Sequence, residues 1–121
     1  ENPIDVMENA NKTLINIIQI ENKSGLENVE KIAKIDDVDC LWVGHFDLSN
    51  FLGVPGQFDS KLYLNAIKRI VKVGTKYKKS LGIMVSTRQE MDLYFDLGFN
   101  VIAVGTEMNL LMDKISNLIK K

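Results

Sequence analysis

The residues best placed to do chemistry are Gln19, Glu21 and Asp47. Gln19 and Glu21 end a β-branched apolar run, Leu14 to Glu21. Asp47 follows a second run, Cys40 to Gly44, within Gly44-His45-Phe46-Asp47-Leu48-Ser49. In parallel α/β folds ligands bind at the carboxyl ends of strands, and all three residues fall there. Adjacent strands lie about 4.8 Å apart, so carboxylates at two neighbouring ends can share one hard cation, which also relieves their mutual repulsion. The same spacing reads equally as two solvated loop acids, with Asp47 capping a turn.

The Gly44-His45-Phe46-Asp47 segment has a second possible use. A glycine followed by exposed backbone N–H groups presents a concavity to an anion such as a carboxylate, and the alternative is an ordinary turn out of a strand. The unperturbed pKa of a histidine lies near neutrality, which makes His45 a candidate general base. However, no serine, cysteine or second histidine stands with it in a triad pattern, so a packing or hydrogen-bonding role is expected. Gly105-Thr106-Glu107 ends another apolar run and serves either a ligand or the cap of the final helix. Cys40, the single cysteine, lies inside an apolar run and is read as a small buried hydrophobe.

The elements that must position these residues follow from periodicity. Four apolar runs, Leu14–Glu21, Cys40–Gly44, Leu81–Val85 and Val101–Gly105, alternate with segments of helical period, the pattern of parallel βα units. Both faces of the first run are largely apolar, as in a strand covered on each side. Ser24-Gly25-Leu26-Glu27 and Thr87-Arg88-Gln89-Glu90 have the form of capping boxes, and Asp59 or Ser60 is expected to cap a long helix carrying Leu64, Ile67 and Val71. Gly98 sits where a helix turns off in the left-handed conformation, and Leu111, Ile115 and Leu118 give the last helix an apolar stripe. The stretch from His45 to Phe58, with its Gly53-Val54-Pro55-Gly56 turn, is longer than a minimal connection and reads as a specialised loop.

The 121 residues form one domain at most, and no linker or low-complexity tract divides them. A formal net charge of −1 gives no global attraction to nucleic acid or an anionic membrane, so ligands must be recognised locally. No apolar run approaches the roughly 20 residues of a spanning helix, and a cytoplasmic location is expected. The sequence opens on Glu1 rather than Met, which reads as an incomplete beginning. Four βα units are half of the eight that close a barrel of roughly 250 residues. The fold expected is therefore α/β, a single partial domain over residues 1–121.

Ile18-Gln19-Ile20-Glu21, Asn28-Val29-Glu30-Lys31-Ile32-Ala33 and Val38 through Ser49 resemble, in order and spacing, the HpcH/HpaI class II pyruvate aldolases. Gly53-Val54-Pro55-Gly56-Gln57-Phe58 resembles a continuation found in one branch of that family. Gly82-Ile83-Met84 and Val101-Ile102-Ala103-Val104-Gly105 look like its seventh and eighth strands. The resemblance covers nearly the whole chain and implies the C-terminal half of a TIM-type (β/α)8 barrel. It also implies that Glu21 and Asp47 are ligands of a divalent metal (Mg²⁺, Mn²⁺ or Co²⁺) with Gln19 beside it. Backbone N–H groups of Phe46 and Asp47, approached closely because of Gly44, would hold a pyruvate carboxylate, and Met84 would line the pocket. His45 stands where many members have proline, a departure that points to a distinct substrate branch.

The activity implied is metal-dependent retro-aldol cleavage or aldol condensation of 2-oxo acids with an aldehyde partner, in a cytoplasmic homo-oligomer. The family's oxyanion-stabilising arginine and its histidine–acid pair belong to the first half of the barrel, and neither Arg69, Arg88 nor His45 matches them. Two rivals stay open: a citryl-CoA or malyl-CoA lyase-like relative, and a non-catalytic assembly module derived from such a barrel.

Overall fold

A computed structural model describes residues 2–119. Helix α1 (Pro3–Thr13) leads into β1 (Ile17–Ile20), followed by α2 (Lys23–Ala33), β2 (Cys40–Val43), α3 (His45–Phe51) and α4 (Lys61–Tyr77). The chain then continues through β3 (Ser80–Val85), α5 (Arg88–Asp96), β4 (Val101–Val104) and α6 (Glu107–Ile119). The four strands form one parallel sheet in sequence order, β1-β2-β3-β4. The predicted βα alternation is therefore the observed one. Among the described residues no helix is long and apolar enough to cross a membrane.

The strand register sorts side chains into two faces, because partners in a parallel ladder point the same way. Gln19 pairs with Trp42, Trp42 with Gly82, and Met84 with Ala103, so these residues share one face with Ile17 and Cys40. The other face carries Ile20, Leu41, Val43, Leu81, Ile83 and Val85, all buried under the helices with Val29, Tyr63, Ile67 and Ile70. The expectation that β1 is covered on both faces is not met. Ile17 is 49% exposed and Gln19 is exposed, because in a closed barrel that face is covered by strands on the opposite side. The paired part of β1 is also shorter than the apolar run. Leu14 and Ile15 are 62% and 73% exposed, and the chain joins the sheet only after Asn16, whose amide donates to Asp39 Oδ2 at 2.8 Å.

Helix termini follow their capping chemistry with one correction. The Ser24-x-x-Glu27 box does not form, because Asn22 caps α2 two residues earlier, accepting from Gly25 N at 2.8 Å, and Ser24 lies inside the first turn. Ser60 caps α4 through Tyr63 N, and Thr87 and Glu90 make the full reciprocal box on α5. Gly98 adopts φ +98° and ends α5. The Phe99 amide donates to Tyr94 O and the Gly98 amide to Phe95 O, the double bond of a Schellman turn. α4 ends the same way at Lys78, a non-glycine residue at φ 54°.

Two helices lie outside the sequence expectations. α1 begins at Pro3 and is capped by Asn2, whose side chain accepts from Ile4 N. α3 occupies the first half of the supposed loop from His45 to Phe58.

Candidate functional site

Four of the expected site residues come from the end of β2 and the start of α3. Gly44 is the N-cap of α3 and makes no side-chain cap, so the amides of His45, Phe46 and Asp47 begin the helix without i−4 partners. The N-terminal end of a helix also carries a partial positive charge, which favours an anion there. Asp47 is exposed in that first turn.

Gly44 is fixed by its neighbours rather than by its dihedrals, with φ −80° and ψ 78°. A Cβ there would stand 2.7 Å from Gln19 Nε2 and 2.8 Å from Glu21 Cβ. The missing side chain lets the end of β1 close on the end of β2, where the Gly44 amide also donates to Ile20 O at 3.2 Å. Gln19 Nε2 in turn donates to Glu21 Oε2 at 2.6 Å, which orients that carboxylate. Gln19, Glu21 and Asp47 thus occupy one end of the sheet.

A cleft of about 210 Å³ opens at this end, lined by Gln19, Trp42, Gly44, His45, Phe46, Asp47 and Met84, with Val43. Every residue proposed to contact substrate lines it, and Glu21 adjoins it through Gln19. Trp42 was not foreseen as a site residue. It reads as one more apolar residue of β2, and only the strand register places it on the open face over Gly82, where a Cβ would come 2.4 Å from the indole Cε3.

His45 is held by aromatic packing. Its ring stacks on Phe58 at 4.8 Å and meets the edge of Phe46 at 4.4 Å. Burial lowers its pKa below the ordinary value, and the Glu90 carboxylate only partly offsets this. The ring is thus packed between two aromatic neighbours. The Thr106 hydroxyl accepts from Asn109 N at 3.3 Å and caps α6, the capping role that the sequence offers for this segment. Cys40 is buried and its thiol pKa is raised by desolvation, so it is a weak nucleophile.

The two arginines point elsewhere. Arg69 donates to Glu27 O, and Arg88 pairs with Asp92. Among the described residues no three His, Cys, Asp or Glu side chains are grouped so as to hold a metal ion.

Residues 2–113 match the family model described as HpcH/HpaI aldolase/citrate lyase. The chain belongs to that family. A 5-keto-4-deoxy-D-glucarate aldolase from Shigella boydii serotype 18 is 29% identical over 120 residues, covering 97% of this chain and 47% of that protein. A hydroxypyruvate/pyruvate aldolase from Paraburkholderia phytofirmans is 36% identical over 104 residues, covering 86% of this chain and 40% of its own length.

Among solved HpcH/HpaI structures, a family protein from Burkholderia cenocepacia J2315 superimposes with a TM-score of 0.89 at 28% identity, over 95% of this chain and 45% of that one. Citrate synthase SbnG shares the fold, with a TM-score of 0.84 at 22% identity over 97% and 48% of the two chains. This HpcH/HpaI chain spans about half the length of the curated relatives it matches, and its four units correspond to about half of a (β/α)8 barrel.

Proposed function

We propose that residues 1–121 form a single half-barrel unit carrying the metal- and pyruvate-binding side of a divalent-metal-dependent aldolase. The reaction is retro-aldol cleavage of a 4-hydroxy-2-oxo acid to pyruvate and an aldehyde, or the reverse condensation. The observation that carries this reading is the convergence of Gln19, Gly44, His45, Phe46, Asp47 and Met84 on one cleft, with Glu21 bonded to Gln19 at its edge.

The donor set fits a hard divalent ion. Mg²⁺ and Mn²⁺ accept one or two carboxylates and fill their remaining positions with water and substrate oxygens, so Glu21 and Asp47 would hold the ion without a third protein acid. When bound, it supplies positive charge that stabilises the enolate developing next to the 2-oxo group.

The chain's own residues do the rest of the positioning. Gln19, which lines the cleft, ties the Glu21 carboxylate to its edge through the 2.6 Å bond. The first amides of α3 bind the carboxylate of the 2-oxo acid, and Gly44 keeps the approach open. Trp42 and Met84 give the cleft an apolar floor against which the methyl or methylene carbon of the 2-oxo acid would rest.

In the cleavage direction the C4 hydroxyl loses its proton, the C3–C4 bond breaks, and its electron pair passes to C3, which is then protonated. Among the described residues Arg69 and Arg88 are bonded away from the cleft and the His45 ring is packed between Phe46 and Phe58, so the oxyanion arginine and the acid–base pair are to be supplied from outside these residues. Binding and turnover therefore separate, since general acid–base help alone is worth about 10²–10⁴-fold.

The test is a Mn²⁺ titration of the 121-residue chain, read by fluorescence of Trp42, its sole tryptophan, and by water-proton relaxation. Wild type is expected to bind, Glu21→Gln and Asp47→Asn to bind at least about tenfold more weakly, and pyruvate to perturb Trp42 only when metal is present. Equal Mn²⁺ affinity in all three proteins would remove the assignment.

A further inference from the structure

The stretch from His45 to Phe58 is bound to itself through one side chain. Ser49, in α3, is fully buried at 0% exposure although it is polar. Its hydroxyl donates to Phe46 O at 2.7 Å and accepts from Gly56 N at 3.0 Å. Burying a hydroxyl costs free energy that only such bonds offset, and an alanine would occupy the same place without that cost. Packing therefore does not account for the oxygen. Attachment of the loop does not account for it either, because the backbone already ties the loop to α3. Val54 N donates to Ser49 O at 2.9 Å and Gly53 N to Asn50 O at 3.0 Å, and Phe58 stacks on His45.

What the hydroxyl adds lies at Phe46 O. That carbonyl and the N–H of Asp47 belong to one planar peptide group. A hydrogen bond to the oxygen fixes the plane and draws electron density from the nitrogen, which makes the N–H a stronger donor. Phe46 and Asp47 both line the cleft. The Leu48 amide donates to Gly44 O at 2.8 Å, and the Asp47 N–H one residue earlier is open to a ligand. We propose that Ser49 is a positioning residue of this site: its hydroxyl, anchored by Gly56, aims and strengthens the Phe46–Asp47 peptide as a donor to the carboxylate of the 2-oxo acid. The relay runs from Gly56 N–H to Ser49 Oγ–H to Phe46 C=O, and from that peptide's N–H to the ligand. Each bond strengthens the next by roughly 10–30%. The inference rests on the aldolase reading of the cleft and adds to it a residue that touches neither metal nor substrate. It also gives the long connection after β2 a task. The turn through Gly53-Val54-Pro55-Gly56, with Gly56 at φ +70°, delivers the amide that holds the Ser49 hydroxyl.

The test compares pyruvate with pyruvamide, which keeps the 2-oxo group and lacks the carboxylate charge. Each is titrated with Mg²⁺ into the 121-residue chain and its Ser49→Ala variant, with Trp42 fluorescence and the Asp47 amide NMR signal as readouts. Ser49→Ala is expected to weaken pyruvate about three- to tenfold and pyruvamide less than about twofold. Pyruvate should move the Asp47 amide proton downfield in wild type and by less in the variant. Ser49→Cys keeps a side chain of similar shape with only a weak S–H donor and should follow the alanine variant, so one folded variant suffices. A role confined to folding the loop would weaken both ligands alike. That result, or unchanged pyruvate affinity in the folded variants, overturns the positioning role and leaves the aldolase reading standing. If pyruvate moves neither Trp42 nor the Asp47 amide in wild type, the aldolase reading fails and this inference falls with it.

Discussion

Replacing Gly44 by alanine tests whether close approach of two strand ends builds the cleft. The backbone at Gly44, φ −80° and ψ 78°, is open to any residue, so the substitution is opposed by contact alone. The new Cβ would meet Gln19 Nε2 at 2.7 Å, Glu21 Cβ at 2.8 Å and Gln19 Cδ at 3.3 Å. The Gln19 amide can swing away, but the Glu21 Cβ moves only with its backbone. Overpacking of this kind costs about 1–3 kcal/mol. The lower entropy of unfolded alanine offsets about 0.4–1 kcal/mol, and the exposed Gln19–Glu21 bond is replaced by water at small cost. A net loss of roughly 0.5–2 kcal/mol follows.

Gly25 is the internal control. It lies in the first turn of α2, where a Cβ would find nothing closer than 3.5 Å, so Gly25→Ala should stabilise by about 0.5–1 kcal/mol. Both are read by urea unfolding at Trp42, with circular dichroism as a second probe. Gly44→Ala at or above wild-type stability, with an unchanged m-value, would refute the argument that steric closeness shapes this site.

Lys78 occupies a left-handed position at φ 54° that glycine fills without strain, so Lys78→Gly should raise stability by about 0.5–1 kcal/mol in the same urea assay. Tyr63→Phe and Tyr94→Phe each strand a buried hydroxyl and should each cost about 1–3 kcal/mol. The double variant should cost less than the sum of the two, which a double-mutant cycle measures. His45 has its folded pKa lowered, chiefly by burial, so the unfolded chain takes the proton first as pH falls. Its contribution is thus fully present above the unfolded pKa of about 6.5 and is lost as pH falls through the folded pKa. Urea midpoints for wild type and His45→Phe between pH 7.5 and 5 should diverge in that direction, and parallel curves would contradict it.

The sequence alone determined the parts governed by local rules. The four βα units were legible because apolar runs of period two alternate with stripes of helical period, and Thr87, Glu90, Ser60 and Gly98 carry their capping roles in short-range spacing. The spacing of Glu21 and Asp47 after successive strands was likewise readable, because a parallel sheet brings consecutive strand ends together. Asn22 displaced Ser24 as a cap because two competent residues stood two positions apart, and local pattern does not rank them. α1 carries little local signal beyond an Asn-Pro start and has no clean apolar stripe, and α3 is a seven-residue helix inside a glycine-flanked connection.

Tertiary structure decided which residues meet across long separations. Trp42 belongs to the cleft only because the register sets it over Gly82, forty residues away in the chain. His45 is held in an aromatic stack only because Phe58 arrives from thirteen residues further along the chain. Periodicity reports which way a side chain faces within its own element. It contains no information about what stands opposite, and that is fixed by packing the elements together.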